Sequence, residues 1–440
     1  MTGGGLIFAA SKSGSGKTLI VASLLRHLPE HGIRVAAAKC GPDYIDPTFH
    51  ALASGAPCVN LDPWAMRPAT LSGLVGELER TAELVLCEGV MGLFDGAGRD
   101  GESGSTAELA RFTGWPVVLV VDAAGQGASV AALVAGFARH DARVPLAGVI
   151  LNRVASERHR ALLTDAIARH LPGLPLLGAV TRDDALSLPA RHLGLVPAGE
   201  RCDAAALLER AGAQIGEALD VDRLIGLARR SRYSQAATGT GLQPLGRNIA
   251  VARDDAFLFA YEATLAGWRR QGAAMSFFSP LAGEAPDPKA DAVYLPGGYP
   301  ELHADKLAGA AQFLDGLRLA ATAGKTIYGE CGGYMVLGEA LTDGNRETHR
   351  MAGLLPVHTS FAAPRRHLGY RAARLLLSGP LGGAGAQFRG HEFHYASVVE
   401  EGDADPLFTV ADASGADLGH AGLQRGRIAG SFIHLIDRAD

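Results

Sequence analysis

The feature that most constrains this chain is a glycine-rich loop set directly after its first apolar run. Residues 6–10 are continuously apolar, residues 11–18 read SKSGSGKT, and a helical pattern follows over 18–27. A strand, a glycine turn and a helix N-terminus in that order bring backbone N–H groups and the positive helix end to one point, where phosphate oxygens are held. Only a sheet with parallel neighbours gives such a loop a place to work, and the sequence supplies them. Apolar runs at 34–39, Leu84–Glu88, 116–122, 147–152 and 176–180 alternate with helical stretches. This is the pattern of a doubly wound α/β domain covered on both faces.

The alternation lapses where the chain reads RRSRYSQAATGTGLQPLGR, a polar stretch rich in Gly, Pro, Ser and Thr. It then restarts with a strand at Asn248–Ala252, a helix over 257–271, and strands at Ala292–Leu295, 326–329, 353–358, 396–399 and 428–434. The parse is two doubly wound α/β domains, 1–235 and 247–440, with 236–246 as linker. A length of 440 residues fits two or three domains of roughly 150 residues.

Composition removes whole classes of function. Net charge is −5, whereas a sequence-independent nucleic-acid binder carries a basic surface, so no nucleic-acid partner is expected. The most apolar stretch, 115–137, is broken by Asp122, Gly125, Gln126 and Gly127, so no membrane span is expected. Five cysteines (Cys40, Cys58, Cys87, Cys202 and Cys331) form no CxxC pair, which argues against a zinc ribbon or disulfide framework. With no basic, apolar leader at the start, the expectation is a cytoplasmic protein.

Within the loop, Lys17 is placed to reach phosphate and Thr18 to ligate Mg²⁺, while Ser13, Gly14, Ser15 and Gly16 offer backbone N–H groups. Ser11 stands where the usual pattern begins with glycine, and Lys12 is a second lysine within the loop. Carboxylates for a metal are available at strand ends: Asp43 and Asp46 in GPDYIDP, Glu88 and Asp95 in CEGVMGLFDG, and Asp122. In an α/β sheet, that edge is where ligands bind. These parts alone point to phosphoryl transfer.

A second centre lies in TIYGECGGYM, where a strand enters Gly-x-Cys-Gly-Gly and a helical pattern begins. Small neighbours permit the strained turn that exposes a nucleophile, and a helix N-terminus behind Cys331 is expected to lower its thiol pKa. Gly297 and Gly298 follow another strand, and with Gly332 they are suited to donate N–H groups to an oxyanion. His434 in SFIH follows a late strand as general base. Cys40 and Cys87 read as strand core, Cys58 as loop packing and Cys202 as a helix-face residue. In RGHEFHYAS, alternation sends His391 and Phe393 to one face and Glu392 and His394 to the other, which weakens a shared metal site. Metal ligation, substrate contact and a structural role stay open for these histidines.

Taken with KCGPDYIDPTFH, LPGGYPELH, GHEFHYA and SFIHL, these segments resemble the cobyrinic acid and hydrogenobyrinic acid a,c-diamide synthases over essentially the whole chain. SKSGSGKT, with its two lysines, resembles the deviant phosphate loop of dethiobiotin synthetase. The resemblance implies a dethiobiotin-synthetase-like ATP domain followed by a class I glutamine-amidotransferase-like domain. It implies amidation of two ring acetates through an acyl phosphate, with ammonia released from glutamine at the cysteine and channelled between the domains. Carried over, Cys331 is the nucleophile and His434 its base. Lys12, Lys17 and Thr18 bind ATP-Mg²⁺, Asp43 and Glu88 lie near the metal, and Tyr44 and Asp95 line the corrinoid side.

The wider class I pattern has a Glu two residues after the catalytic His; here that position is Ile436. The site therefore reads as a Cys–His dyad, with Asp437 pointing elsewhere. The implied ring substrate is hydrogenobyrinic acid, with cobyrinic acid and nickel sirohydrochlorin as alternatives. A homodimer is left open. An ATP switch with an inactive amidotransferase domain, and a carboxylating enzyme, are the competing readings. Intact Cys331 and His434 argue against the first, and the second needs no Cys–His domain.

Overall fold

In a computed structural model, residues 3–186, 190–191, 194–195, 203–233 and 241–439 are described. The chain divides into two compact units, one of residues 1–64 and 68–238, the other of 65–67 and 239–440.

The first unit is built on seven parallel strands: β1 (Gly4–Ala10), β2 (Val35–Cys40), β3 (Val59–Leu61), β4 (Leu84–Glu88), β5 (Val117–Asp122), β6 (Leu146–Val154) and β7 (Leu176–Thr181). Their order is β3-β2-β4-β1-β5-β6-β7, so β1 is the middle strand. Burial on both faces explains its unbroken apolar run, since Leu6, Ile7, Phe8, Ala9 and Ala10 are all 0% exposed. Helix α1 (Lys17–Glu30) covers one face, with Ile20, Leu24 and Leu28 packed against Phe8, Leu86 and Val120. Each such side chain contributes roughly 1.5–3 kcal/mol on burial.

The strands expected from the apolar runs are present with ends shifted by a few residues at most, whereas the three-residue β3 was too short to announce itself. Cys40 and Cys87 are strand core and Cys58 is loop packing, all buried. The position of Cys202 lies outside the described residues.

The second unit carries a ten-stranded sheet: β8 (Asn248–Ala252), β9 (Ala274–Phe278), β10 (Ala292–Leu295), β11 (Thr326–Glu330), β12 (His367–Leu375), β13 (Gln387–His394), β14 (Asp405–Asp412), β15 (Asp417–Arg425), β16 (Ile428–Ser431) and β17 (Ile433–Arg438). Their order is β9-β8-β10-β11-β16-β15-β14-β12-β13-β17. Pairing is parallel from β9 to β16 and antiparallel from β16 to β17. The antiparallel half is half-exposed and polar, which is why no apolar run marks β12 or β15. A smaller four-stranded sheet contains Ala340–Thr342, Thr348–Arg350, Val357–Ser360 and Ser397–Glu401.

Three expectations change. The helix expected over 257–271 runs only Glu262–Arg270, because residues 254–257 form a turn and the Phe259 N–H bonds the Gly297 carbonyl at 2.9 Å, outside any helical ladder. The strand expected over 353–358 begins at Val357, after a turn that puts Gly353 at φ +67°. The strand expected over 428–434 is two strands broken at Phe432. Of the expected linker 236–246, residues 236–240 lie outside the described residues, and Leu242 and Leu245 are buried in the second unit's core. No helix among the described residues is long and apolar enough to cross a membrane.

Candidate active site

In the first unit, β1 ends at Ala10 and the loop turns into α1 through Gly14 (φ +75°) and Gly16 (φ +88°), a left-handed region that glycine enters freely. A side chain at Gly16 would overlap Asn152 Nδ2, and that amide instead donates to the Ser15 carbonyl at 2.8 Å. Ser15 Oγ donates to the Lys12 carbonyl at 2.9 Å. Asn152, at the end of β6, thus braces the loop from below. The sequence reading missed this role, whose only signal was a polar residue at a strand end.

Lys17 is buried and donates to the Met91 carbonyl at 2.7 Å, which brings the loop after β4 to the helix N-terminus. Met91 itself has φ +44°, a strained conformation for a side-chain-bearing residue. Burial pushes the Lys17 ammonium below its usual value, against the pull of Glu88. Thr18 Oγ1 donates to Glu88 Oε1 at 2.8 Å. Glu88 closes β4 and is fully buried, with His50 Nε2 at 2.6 Å and Lys39 Nζ at 3.3 Å. Burial alone would raise this carboxyl, but Lys39 and His50 outweigh it and hold Glu88 well below the usual carboxylate range.

Lys39 also grips Asp46 at 2.6 Å, and burial, which would lower its ammonium, loses to the combined charge of Asp46 and Glu88. Asp43 accepts the N–H groups of Ile45 and Asp46, and burial together with the adjacent Asp46 charge pushes it up to about 7. Lys39 and His50 are the members of this cluster that sequence reading did not single out. Each sits one turn or one strand end from a residue that it did.

Lys12 is exposed and lies 3.6 Å from Asp122, which Arg153 also pairs at 2.9 Å. Ser13 is exposed at the tip of the loop. Tyr44 is partly buried between Asp43 and Asp46 in the loop after β2. Asp95 is exposed and accepts the Gly92 N–H at 2.9 Å, while its charge reaches Lys17.

In the second unit, Cys331 follows β11 with φ +49°, the strained elbow that its glycine neighbours allow. Its N–H bonds the Ser431 carbonyl at 2.8 Å. A methyl group on Gly297 would overlap His434 Cε1 and stand 3.2 Å from Cys331 Cβ, so cysteine and histidine flank one glycine. A methyl group on Gly332 would meet the Gly298 amide nitrogen at 3.1 Å, which sets two of the three oxyanion-donor candidates side by side.

The expected lowering of the thiol is not found. The helix behind Cys331 has only six residues, and burial, with the nearby Glu301 and Glu392 charges, pushes the thiol up. Burial and the neighbouring His391 and His394 hold His434 down to about 3, so the resting pair is a thiol and a neutral imidazole.

The segment RGHEFHYAS is extended and alternates as expected. His391 stands opposite His434 in the β13–β17 pairing, and the Phe393 carbonyl lies 3.9 Å from Cys331 Sγ. On the other face Glu392 joins His394 at 2.8 Å and Arg371 at 2.6 Å, with His367 stacked on His394. Ile436 is buried, and Asp437 turns to Arg67 at 2.9 Å within the same unit.

Residues 6–196 match the CobQ/CobB/MinD/ParA nucleotide binding domain, and residues 248–440 match the CobB/CobQ-like glutamine amidotransferase domain. The chain is 53% identical over 435 residues to the hydrogenobyrinate a,c-diamide synthase of Brucella anthropi, covering 98% of each chain. It is 54% identical over 437 residues to that of Brucella suis biovar 1, again covering 98% of each. With that of Rhizobium meliloti identity is 51% over 437 residues, covering 98% of this chain and 99% of the other. Phosphate loop, cysteine elbow and full-length likeness agree, and the chain belongs to the cobyrinic acid and hydrogenobyrinic acid a,c-diamide synthase family.

Proposed function

We propose that this protein is a glutamine-hydrolysing, ATP-dependent ligase that amidates the a and c acetate carboxylates of hydrogenobyrinic acid in cobalamin biosynthesis, acting in the cytoplasm. The observation that carries this reading is the pairing of Cys331 with His434 across Gly297 in a chain that also holds a phosphate loop. A switch protein with an inactive amidotransferase domain has no need of that pair. The names of its relatives favour hydrogenobyrinate over a nickel sirohydrochlorin as the ring.

In the synthetase half, a ring carboxylate oxygen attacks the γ-phosphorus of ATP, and ADP leaves. Ammonia then attacks the acyl carbon, and phosphate leaves. Lys17 and Lys12 neutralise charge on the transferred phosphoryl group, with Ser13, Gly14, Ser15 and Gly16 donating backbone N–H groups. Thr18, Glu88 and Asp43 form an all-oxygen donor set suited to Mg²⁺. Burial and the adjacent Asp46 charge keep Asp43 high, and a divalent cation would relieve the second of these, so the residues fit the ion. Mg²⁺ would supply charge neutralisation at the phosphates. Tyr44 and Asp95 line the corrinoid side.

In the glutaminase half, Cys331 attacks the glutamine carboxamide as its proton passes to His434, and Gly297, Gly298 and Gly332 donate to the oxyanion. Ammonia leaves, and water releases glutamate from the thioester. Mass spectrometry after offering hydrogenobyrinic acid, cobyrinic acid and nickel sirohydrochlorin, each with ATP and glutamine, tests the reading. A diamide from hydrogenobyrinic acid is expected, and no amide from any of the three would overturn it.

A further inference from the structure

A histidine base works best when a carboxylate faces its Nδ1, fixing the tautomer and stabilising the imidazolium that forms. None of the three residues after His434 supplies one: Leu435 and Ile436 are apolar and buried, and Asp437 is committed to Arg67. The carboxylate nearest in space comes from another strand. Glu330, the last residue of β11 and the one immediately before the nucleophile, is buried with Oε2 3.9 Å from His434 Nδ1. Its Oε1 accepts the N–H of Leu435, the residue after the histidine, at 3.1 Å, and its Oε2 accepts Tyr294 Oη–H at 2.8 Å. The carboxylate is therefore tied to the histidine's own strand and aimed by a tyrosine that itself stacks on Tyr328.

We propose that Glu330 is the positioning residue for His434, so that the glutaminase is a Cys331–His434–Glu330 relay whose third member precedes the nucleophile instead of following the histidine. This rests on the glutaminase reading above. With Nδ1–H turned to Glu330, Nε2 is left to take the thiol proton as the S–C bond to the carboxamide carbon forms. The same proton passes to the departing nitrogen as the C–N bond breaks, and ammonia leaves.

The groups that face this pair are Tyr294 from β10, Tyr328 from β11, and His391, Glu392 and His394 from β13. Burial pushes Glu330 up to about 7 against the donors that favour its charged form. Since only the ionised carboxylate stabilises imidazolium, glutamine use should fall on the acid side of neutrality.

The test is the pH profile of glutamine-dependent kcat and KM in the full chain, with ammonium-dependent synthesis measured beside it. Glu330→Gln should lower kcat roughly 10–100-fold with KM for glutamine little changed, and the acid limb near pH 7 should vanish. Ammonium-dependent synthesis should persist. Glu330→Asp should recover part of the rate and the limb, and Tyr294→Phe, which keeps the ring but loses a donor, should move the limb to higher pH. The proposal is overturned by a Glu330→Gln enzyme with wild-type kcat and pH profile, by joint loss of glutamine- and ammonium-dependent synthesis, or by an unmoved limb in Tyr294→Phe. Cys331→Ala separates the two levels. If it still uses glutamine, the glutaminase reading itself fails; if it does not while Glu330→Gln is unaffected, only the role of Glu330 is lost.

Discussion

Thr18 Oγ1 donates to Glu88 Oε1 at 2.8 Å, joining the first turn of α1 to the end of β4 across 70 positions of chain. Lys39 pairs with the same oxygen at 3.3 Å and His50 holds the other at 2.6 Å, so a hydroxyl and an ionised carboxylate stand fixed beside the phosphate loop. The proposed synthetase site can therefore be tested apart from the proposed glutaminase.

Lys17→Ala is expected to lose at least about 100-fold in amidation, with glutamine or with ammonium, because on the proposed reading Lys17 acts on the transferred phosphoryl group. Steady-state amidation with ammonium as donor checks this. Turnover near that of wild type would sink the phosphate-loop assignment.

Asp43 is raised from 3.8 to about 7 in the folded chain. The folded state thus binds this proton more tightly than the unfolded state, so the group's contribution is full below pH 3.8 and is lost as pH rises through 7. Asp43→Asn should therefore gain on wild type between pH 5 and pH 8 by on the order of 1–2 kcal/mol in metal-free denaturant melts. Mg²⁺ with nucleotide should narrow that gap. A difference that stays flat with pH would contradict the burial of Asp43 beside the Asp46 charge.

Asp95→Asn keeps an oxygen that can accept the Gly92 N–H while removing the charge. Glutamine hydrolysis should continue, with one amidation slowed more than the other, so that a monoamide accumulates in time-resolved mass spectra. An unchanged rate with only diamide present would remove Asp95 from the substrate contacts.

Cys331→Ala should abolish glutamine-dependent synthesis and spare synthesis from high ammonium at raised pH. Because burial raises the thiol, His434→Ala should be nearly as severe, leaving no base to take the proton. Paired glutamine and ammonium assays decide it. Substantial glutamine use by His434→Ala would mean that the thiol ionises unaided.

Gly297→Ala puts a methyl group into the space of His434 Cε1. Glutamine-dependent kcat should drop by roughly 10²-fold, as expected when a base is displaced by about 1 Å, while ammonium-dependent synthesis is retained. A wild-type glutaminase rate in this variant would show that His434 does not stand against Gly297 in the working enzyme.

The sequence alone determined what local chemistry enforces. Buried parallel strands need continuous apolar runs, and a phosphate loop needs glycines at left-handed positions, so β1, β4, Gly14, Gly16, Lys17 and the Cys331 elbow were legible as strings. Tertiary structure decided what depends on neighbours distant in the chain. Strands β12 and β15 are polar and half-exposed, their pairing fixed by partners and not by pattern. The thiol of Cys331 is raised, contrary to its place at a helix start, because burial outweighs a six-residue helix. Asn152, His50 and Lys39 acquire their places only when strands 1, 2, 4 and 6 align their carboxyl ends. Glu330 was hidden for the same reason: its nearness to His434 spans more than a hundred residues and exists only because its side chain, at the end of β11, reaches His434 and Leu435 of β17.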